Sequence, residues 1–171
     1  MKSSSTPPTR ESRTIPLWAA LVLFAFVWGV LPWAISLLSP RYGWQSTGPS
    51  LWNLLGLILL LAGLAGSLYT LQLHARGPNK GVDMEPDKAY FLTTGPYAYS
   101  RNPMYLFELV LMFGWVLFDG SLAVLLAFLA WAAFFAFYQV PSEERTIEAH
   151  FGENYRAYKM KVPRWFGRPH S

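Results

Sequence analysis

Two short polar stretches hold most of the side chains in this sequence that can do chemistry. The first, GPYAYSRNPMY at residues 95–105, places an arginine, an asparagine and three tyrosines among turn-forming residues. The second, QVPSEERTIEAHFGENYRAYKMKVPRWFGRP, starts at Gln139 and contains the adjacent acids Glu143 and Glu144. Arginine grips a carboxylate through parallel N–H bonds, a carboxylate balances an ammonium, and a tyrosine face attracts a cation. A connecting loop needs only its turn residues, so the arginine and its polar neighbours read as half of a cofactor site.

Each group also has a plainer role open to it. Arg101 can set membrane orientation as a snorkelling arginine, and Tyr97, Tyr99 and Tyr105 can form an interfacial aromatic belt. Gly95-Pro96 marks a turn, and Pro103 suits a first helical turn, where its missing N–H costs nothing. Ser142 is a good N-cap for a helix whose first turn would carry Glu143 and Glu144. Glu108 lies inside an apolar run, where a carboxylate is a functional candidate. His74 and His150 have no partners at metal-ligand spacing and the chain has no cysteine, so no metal, disulfide or thiolate chemistry is expected.

The elements that must position these groups are apolar. Hydrophobic residues make up 53% of the 171 and charged residues 14%, where a soluble domain carries about 25% charged residues. The composition therefore points to an all-α, polytopic membrane protein with about four spans, near 15–38, 51–73, 103–118 and 121–140. Only Asp119-Gly120 separates the last two, which predicts a tight antiparallel hairpin that brings Arg101 beside Glu143 and Glu144. Beyond it, residues 142–162 read as interfacial helices, with Ile147, Phe151, Tyr155 and Tyr158 opposed to Arg156, Lys159 and Lys161. Such helices can also cover a bound cofactor as a lid. Ala62 and Gly66 have the spacing of a close helix contact.

All but one of the 14 basic residues fall on one side of this arrangement, leaving Arg41 on the other. The positive-inside rule makes the rich side cytoplasmic, with both termini inside. The dispersal of the basic residues between apolar spans argues against a nucleic-acid partner. Residues 1–14 read as a disordered cytoplasmic tail before a single membrane-embedded domain over 15–171. The first apolar run is too long for the core of a cleaved signal peptide.

The two polar stretches, in this order and around a hydrophobic hairpin, resemble the isoprenylcysteine carboxyl methyltransferase and phospholipid methyltransferase group of integral membrane enzymes. The shared pattern is G-P-Y-x-Y-x-R-[HN]-P-x-Y followed by E-E-x6-F-G-x2-Y-x2-Y-x3-V-P-R-W, and it covers roughly residues 77–166. The resemblance implies S-adenosylmethionine as cofactor, a cytoplasmic pocket under the C-terminal helices, and a lipophilic acceptor entering from the bilayer of a bacterial inner membrane. Carried over by position, Tyr97, Arg101, Asn102, Pro103, Tyr105, Glu143, Glu144, Tyr155 and Tyr158 would bind cofactor. Arg101 would pair a carboxylate, Glu143 or Glu144 an ammonium, and Tyr105 the sulfonium. Arg101, Glu144 and, for an amine acceptor that must lose a proton, Glu108 would be the catalytic residues.

Two positions depart from the group. Asn102 stands where many relatives have a titrating histidine, and Phe107 stands where a glycine is common, which would narrow the pocket. The acceptor stays open between an isoprenylcysteine-like carboxylate, a phospholipid amine, a small thiol and an isoprenoid-like lipid, and so does the oligomeric state. A non-catalytic membrane protein that retains the fold, or a reductase of the sterol type, is also compatible with these residues.

Overall fold

A computed structural model describes residues 14–45, 48–76, 82–83 and 90–167. The expected tail up to residue 13 lies outside the described residues, as do Lys80, Lys88 and Arg168. Among the described residues the chain forms five helices: α1 Leu17–Ser36, α2 Leu51–Ala75, α3 Pro103–Asp119, α4 Leu122–Phe151 and α5 Glu153–Lys161. A 3₁₀ turn at Gly95–Ala98 and two-residue ladders pairing Thr14–Ile15 with Val82–Asp83 and Trp44–Gln45 with Gly48–Pro49 are minor additions to an all-α fold.

Helices α1, α2 and α4 are long and apolar enough to cross a membrane, which makes the chain a multi-pass integral membrane protein. The composition suggested about four spans. The third of them, α3, has 17 residues and so reaches about 25 Å, short of a hydrocarbon core of about 30 Å. It is also the most enclosed helix: α1, α2 and α4 pack around it, and of its large apolar side chains only Phe113 is exposed. A helix shielded in this way need not match the lipid thickness, and it can hold polar side chains that a lipid-facing helix could not.

Helices α2 and α3 run antiparallel along a seam of small residues. Asn53, Gly56, Gly63, Ser67 and Thr70 face inward on α2, and a side chain at Gly56 or Gly63 would collide with the α3 backbone near Gly114 and Leu111. Close approach of this kind replaces the hydrophobic drive that lipid cannot supply. Of the expected pair, Gly66 does meet α3, under the Phe107 ring, whereas Ala62 is exposed.

The end opposite Arg101 is closed by polar contacts. Asn53 donates to the α3 carbonyls of Leu117 and Phe118 at 2.9 and 3.0 Å. Arg41 lies 3.3 Å from the buried Asp119. Gly120, with φ 61°, ends α3 by donating to Val116 O at 2.9 Å, and Ser121 caps α4 through the Val124 N–H. That left-handed residue makes the α3–α4 connection as tight as its two-residue length requires. Trp28 of α1 fills the space between α1, α3 and α4: its ring meets Trp131 edge-on at 5.9 Å, and its carbonyl accepts the Trp115 indole N–H at 2.8 Å.

The fourth apolar segment departs from expectation, because it does not end near residue 140. Helix α4 continues through Pro141 to Phe151, so Ser142 sits mid-helix and caps nothing. A π-turn at Phe135–Gln139 makes this possible. Val140 N–H bonds back to Phe135 O, five residues away, and the widened turn accommodates a proline that would otherwise break the helix.

Candidate functional site

The π-turn decides which side chains of α4 face inward. Val124 and Phe135 are buried on the first part of the helix. At 3.6 residues per turn the inward face would pass next through Gln139, Ser142 and Thr146. The inserted residue advances the phase, so Val140 and Glu144 are buried while Tyr138 and Arg145 are exposed. Wound as regular α-helix, the same residues would bring Ser142 and Thr146 inward in place of Glu144.

Arg101 is fixed from several sides before α3 begins. Asn102 has a non-helical backbone, as a residue before proline should, and its N–H bonds the Ser100 hydroxyl at 3.0 Å. The Arg101 N–H donates to Pro163 O at 3.0 Å and its Nη1 to Lys159 O at 3.2 Å. Its Nε lies 3.1 Å from Glu144 Oε1, with side chains only 10% and 4% exposed. That Nε–H is not aligned for a hydrogen bond, so the contact is ionic. The expected meeting of Arg101 with the acid pair across the hairpin is therefore present, and the two charges touch directly.

Glu144 is shared further. Asn102 Nδ2 donates to its Oε1 at 3.2 Å, and Arg164 donates to its Oε2 through Nη2 at 2.8 Å and Nε at 3.2 Å. Arg164 belongs to a strap at residues 162–167 that returns across the 99–102 segment. Ser100 Oγ and Asn102 Nδ2 donate to Arg164 O, and Gly167 N–H donates to Tyr99 O. Two guanidiniums thus surround one carboxylate, leaving a surplus of positive charge among these described residues.

Glu143 faces a different set. Tyr105 OH donates to its Oε1 at 2.5 Å and Gln139 Nε2 at 2.9 Å, and the Tyr105 ring packs on Phe135 with centroids 4.5 Å apart. Glu108, one turn further along α3, is buried, with Glu143 as its electrostatic neighbour. A negative, aromatic subsite therefore adjoins the positive one.

The other expected residues are placed as supports. Pro103 is buried as the first residue of α3. Tyr97 OH meets His74 Nε2 at 2.7 Å, and Tyr97 O accepts the Tyr158 hydroxyl at 2.6 Å. Burial pushes the Tyr158 phenol up to about 12 and the Tyr97 phenol higher still, so both stay neutral. Tyr155 packs in a small core with Tyr158, Val162 and Phe91; its phenol too is raised, chiefly by burial. The Phe107 ring lies over Gly66 on α2, in space that a side chain there would fill.

Sequence reasoning did not single out Arg164 or Gln139. Arg164 sits inside the V-P-R-W stretch, so the motif carried the signal, but nothing local says that the strap folds back. Gln139 lies within the π-turn, which nothing in the local sequence announces. Among the described residues no group of three or more His, Cys, Asp or Glu side chains could hold a metal ion.

Comparisons with known proteins bear on the family. The chain is 36% identical over 62 residues to an uncharacterized protein of Haemophilus influenzae, an alignment covering 36% of this chain and 98% of that one. No solved structure matches. The family model described as phospholipid methyltransferase matches residues 51–154, from the start of α2 into α5 and through both halves of the site. That is more than half of the 171 residues, and the chain belongs to the phospholipid methyltransferase family, whose membership implies a membrane methyltransferase that uses S-adenosylmethionine.

Proposed function

We propose that the Arg101–Glu143 region is the cofactor site of an integral membrane methyltransferase acting on a lipophilic acceptor. One observation carries this reading: a positive subsite of Arg101 and Arg164 around Glu144 adjoins a negative, aromatic one of Glu143, Glu108 and Tyr105. That pairing of opposite signs fits an amino-acid moiety next to a sulfonium. The buried Arg101 Nε–H without an aligned hydrogen bond is a further point of fit, since a carboxylate could satisfy it.

In this reading Arg101 and Arg164 hold the cofactor carboxylate. Glu143 rather than Glu144 holds the ammonium, because Glu144 is already committed to two guanidiniums. Tyr105 offers its ring to the sulfonium. When bound, S-adenosylmethionine supplies an electrophilic methyl group for in-line displacement. The protein's part is to orient the partners and exclude water. A carboxylate acceptor is already nucleophilic, whereas an amine acceptor must first lose a proton, for which Glu108 is the nearest buried acid. Helix α3 acts as a fourth, shielded crossing, and the charge asymmetry puts the site and both termini in the cytoplasm.

The test is transfer of a radiolabelled methyl group from S-adenosylmethionine into lipid extracted from membranes that contain the protein. Label is expected with wild type and should fall at least tenfold with Arg101→Ala and Glu143→Ala, on the scale of one charged hydrogen bond. Equal labelling by wild type and both variants would contradict the assignment.

A further inference from the structure

The outer face of α4 carries a second feature that the transfer reaction does not use. Phe134, Phe137 and Tyr138 form an exposed aromatic group; Phe137 and Tyr138 are 84% and 64% exposed, and Tyr138 stacks on Phe134 at 5.5 Å. In a chain whose helices cross a bilayer, such a group marks the depth where hydrocarbon gives way to headgroups. Because α4 continues without a break, Arg145 lies about two turns, or roughly 10 Å, beyond Tyr138. The headgroup layer adds about 5–8 Å on each side of the hydrocarbon. The long Arg145 side chain leans back toward the N-terminus of its helix, and so toward the bilayer, which brings its guanidinium to the level of the lipid phosphates.

At that level Arg145, Thr146, Ala149 and His150 line one shallow groove. Arg145, Ala149 and His150 are exposed. The other arginines nearby are committed: Arg101 and Arg164 to Glu144, Arg156 to Glu148 and Glu153. Arg145 has no ion-pair partner among the described residues. It comes to the outer face for the same reason that Glu144 faces inward, the phase advance of the π-turn. An unpaired guanidinium and an imidazole, separated by a small Ala149 and continuous with a lipid-facing aromatic stripe, suit a phosphate attached to an acyl chain. A free anion would have no use for the stripe.

We infer that this groove binds the phosphodiester of an anionic membrane lipid, with Arg145 on the phosphate, His150 as a second donor, and the acyl chains lying against Phe137 and Tyr138. The site lies outside the proposed cofactor site and depends only on the membrane-spanning arrangement.

Native mass spectrometry of the purified protein, titrated with phosphatidylglycerol or phosphatidylcholine, tests this. Wild type should bind phosphatidylglycerol more tightly than phosphatidylcholine. Arg145→Ala should lose about tenfold in phosphatidylglycerol affinity, the effect of one charge-assisted contact, and His150→Ala should lose less. Lys161→Ala, an exposed cation on α5, should change nothing, and millimolar inorganic phosphate should not compete. Unchanged affinity in Arg145→Ala, or equal binding of the two lipids by wild type, would overturn the proposal. So would an equal loss in Lys161→Ala, which would indicate diffuse attraction, or displacement by phosphate, which would indicate a soluble anion. Arg145 is exposed, so the variant should keep its circular dichroism spectrum and its S-adenosylmethionine affinity, and a failure here is separable from a failure of the transferase reading.

Discussion

Glu144 and Glu143 are neighbours in sequence with opposite burdens, and the difference predicts two distinct mutant phenotypes. Glu144 is almost fully buried between Arg101 and Arg164. Removing its charge strands a buried guanidinium, a loss worth about 3–5 kcal/mol when a buried pair is broken. Glu144→Gln is therefore expected to unfold at markedly lower temperature in detergent. Glu143→Gln keeps a side chain able to accept from Tyr105 and Gln139, so its melting temperature should stay close to wild type while cofactor binding falls. A third residue-scale expectation concerns Tyr158, whose hydroxyl ties α5 to the 95–98 turn. Tyr158→Phe should cost about 1–2 kcal/mol, as for a buried carbonyl losing its donor. The folded phenol titrates above its ordinary value of 10.0. The stability it contributes is thus complete below pH 10.0 and lost as pH rises through about 12, a dependence that Tyr158→Phe should abolish. At this scale Arg101 and the acid pair were legible, because they bracket a hairpin too short to separate them. The division of labour between the two acids was not, because it depends on a strap about twenty residues further along the chain.

Among the elements, α4 carries the most information that its sequence conceals. Pro141 followed by Ser142 reads as a stop and a new cap, since proline removes a backbone donor and clashes with the preceding turn. The π-turn at Phe135–Gln139 relieves that clash and turns the following residues by one position. Deleting Ala136 alone should restore regular α-helix with Val140 and Glu144 still facing inward, whereas deleting Ala136 and Phe137 together should bring Arg145 to the Arg101 side. In the double deletion helix content by circular dichroism should persist while S-adenosylmethionine binding is lost; retained binding there would show that the phase of α4 is not what builds the site. The α2–α3 seam was half legible for a related reason. Hydrophobicity cannot mark the inner face of a helix whose outer face meets lipid, so only the small residues signal the contact. Several faces of α2 carry small residues, and of the Ala62–Gly66 pair only Gly66 meets α3, beside the closer approach at Gly56 and Gly63. Gly63→Leu should force α2 from the α3 backbone and cost about 1–3 kcal/mol or more, read as a lower unfolding temperature.

The whole molecule places its two kinds of polar chemistry at opposite ends of an apolar bundle. At one end Arg41, Asp119, Asn53 and Ser121 close the helix connections. At the other, Arg101, Glu143, Glu144 and Arg164 converge on the start of α3 and the extension of α4. The multi-pass, all-α character was legible from composition alone, because charged residues are scarce and nearly all the basic ones fall between the same helix ends. The shielding of α3 was not legible, since no hydropathy pattern distinguishes a central helix from a peripheral one. The central claim is that the opposite-signed subsites at this second end form one cofactor site. Its most direct test is calorimetric titration of S-adenosylmethionine into wild type, Arg101→Ala and Glu143→Gln in detergent. The account predicts saturable binding by wild type, weakened roughly 10- to 100-fold by each substitution with helix content unchanged. Wild-type affinity in both folded variants, or no binding by wild type itself, would contradict it.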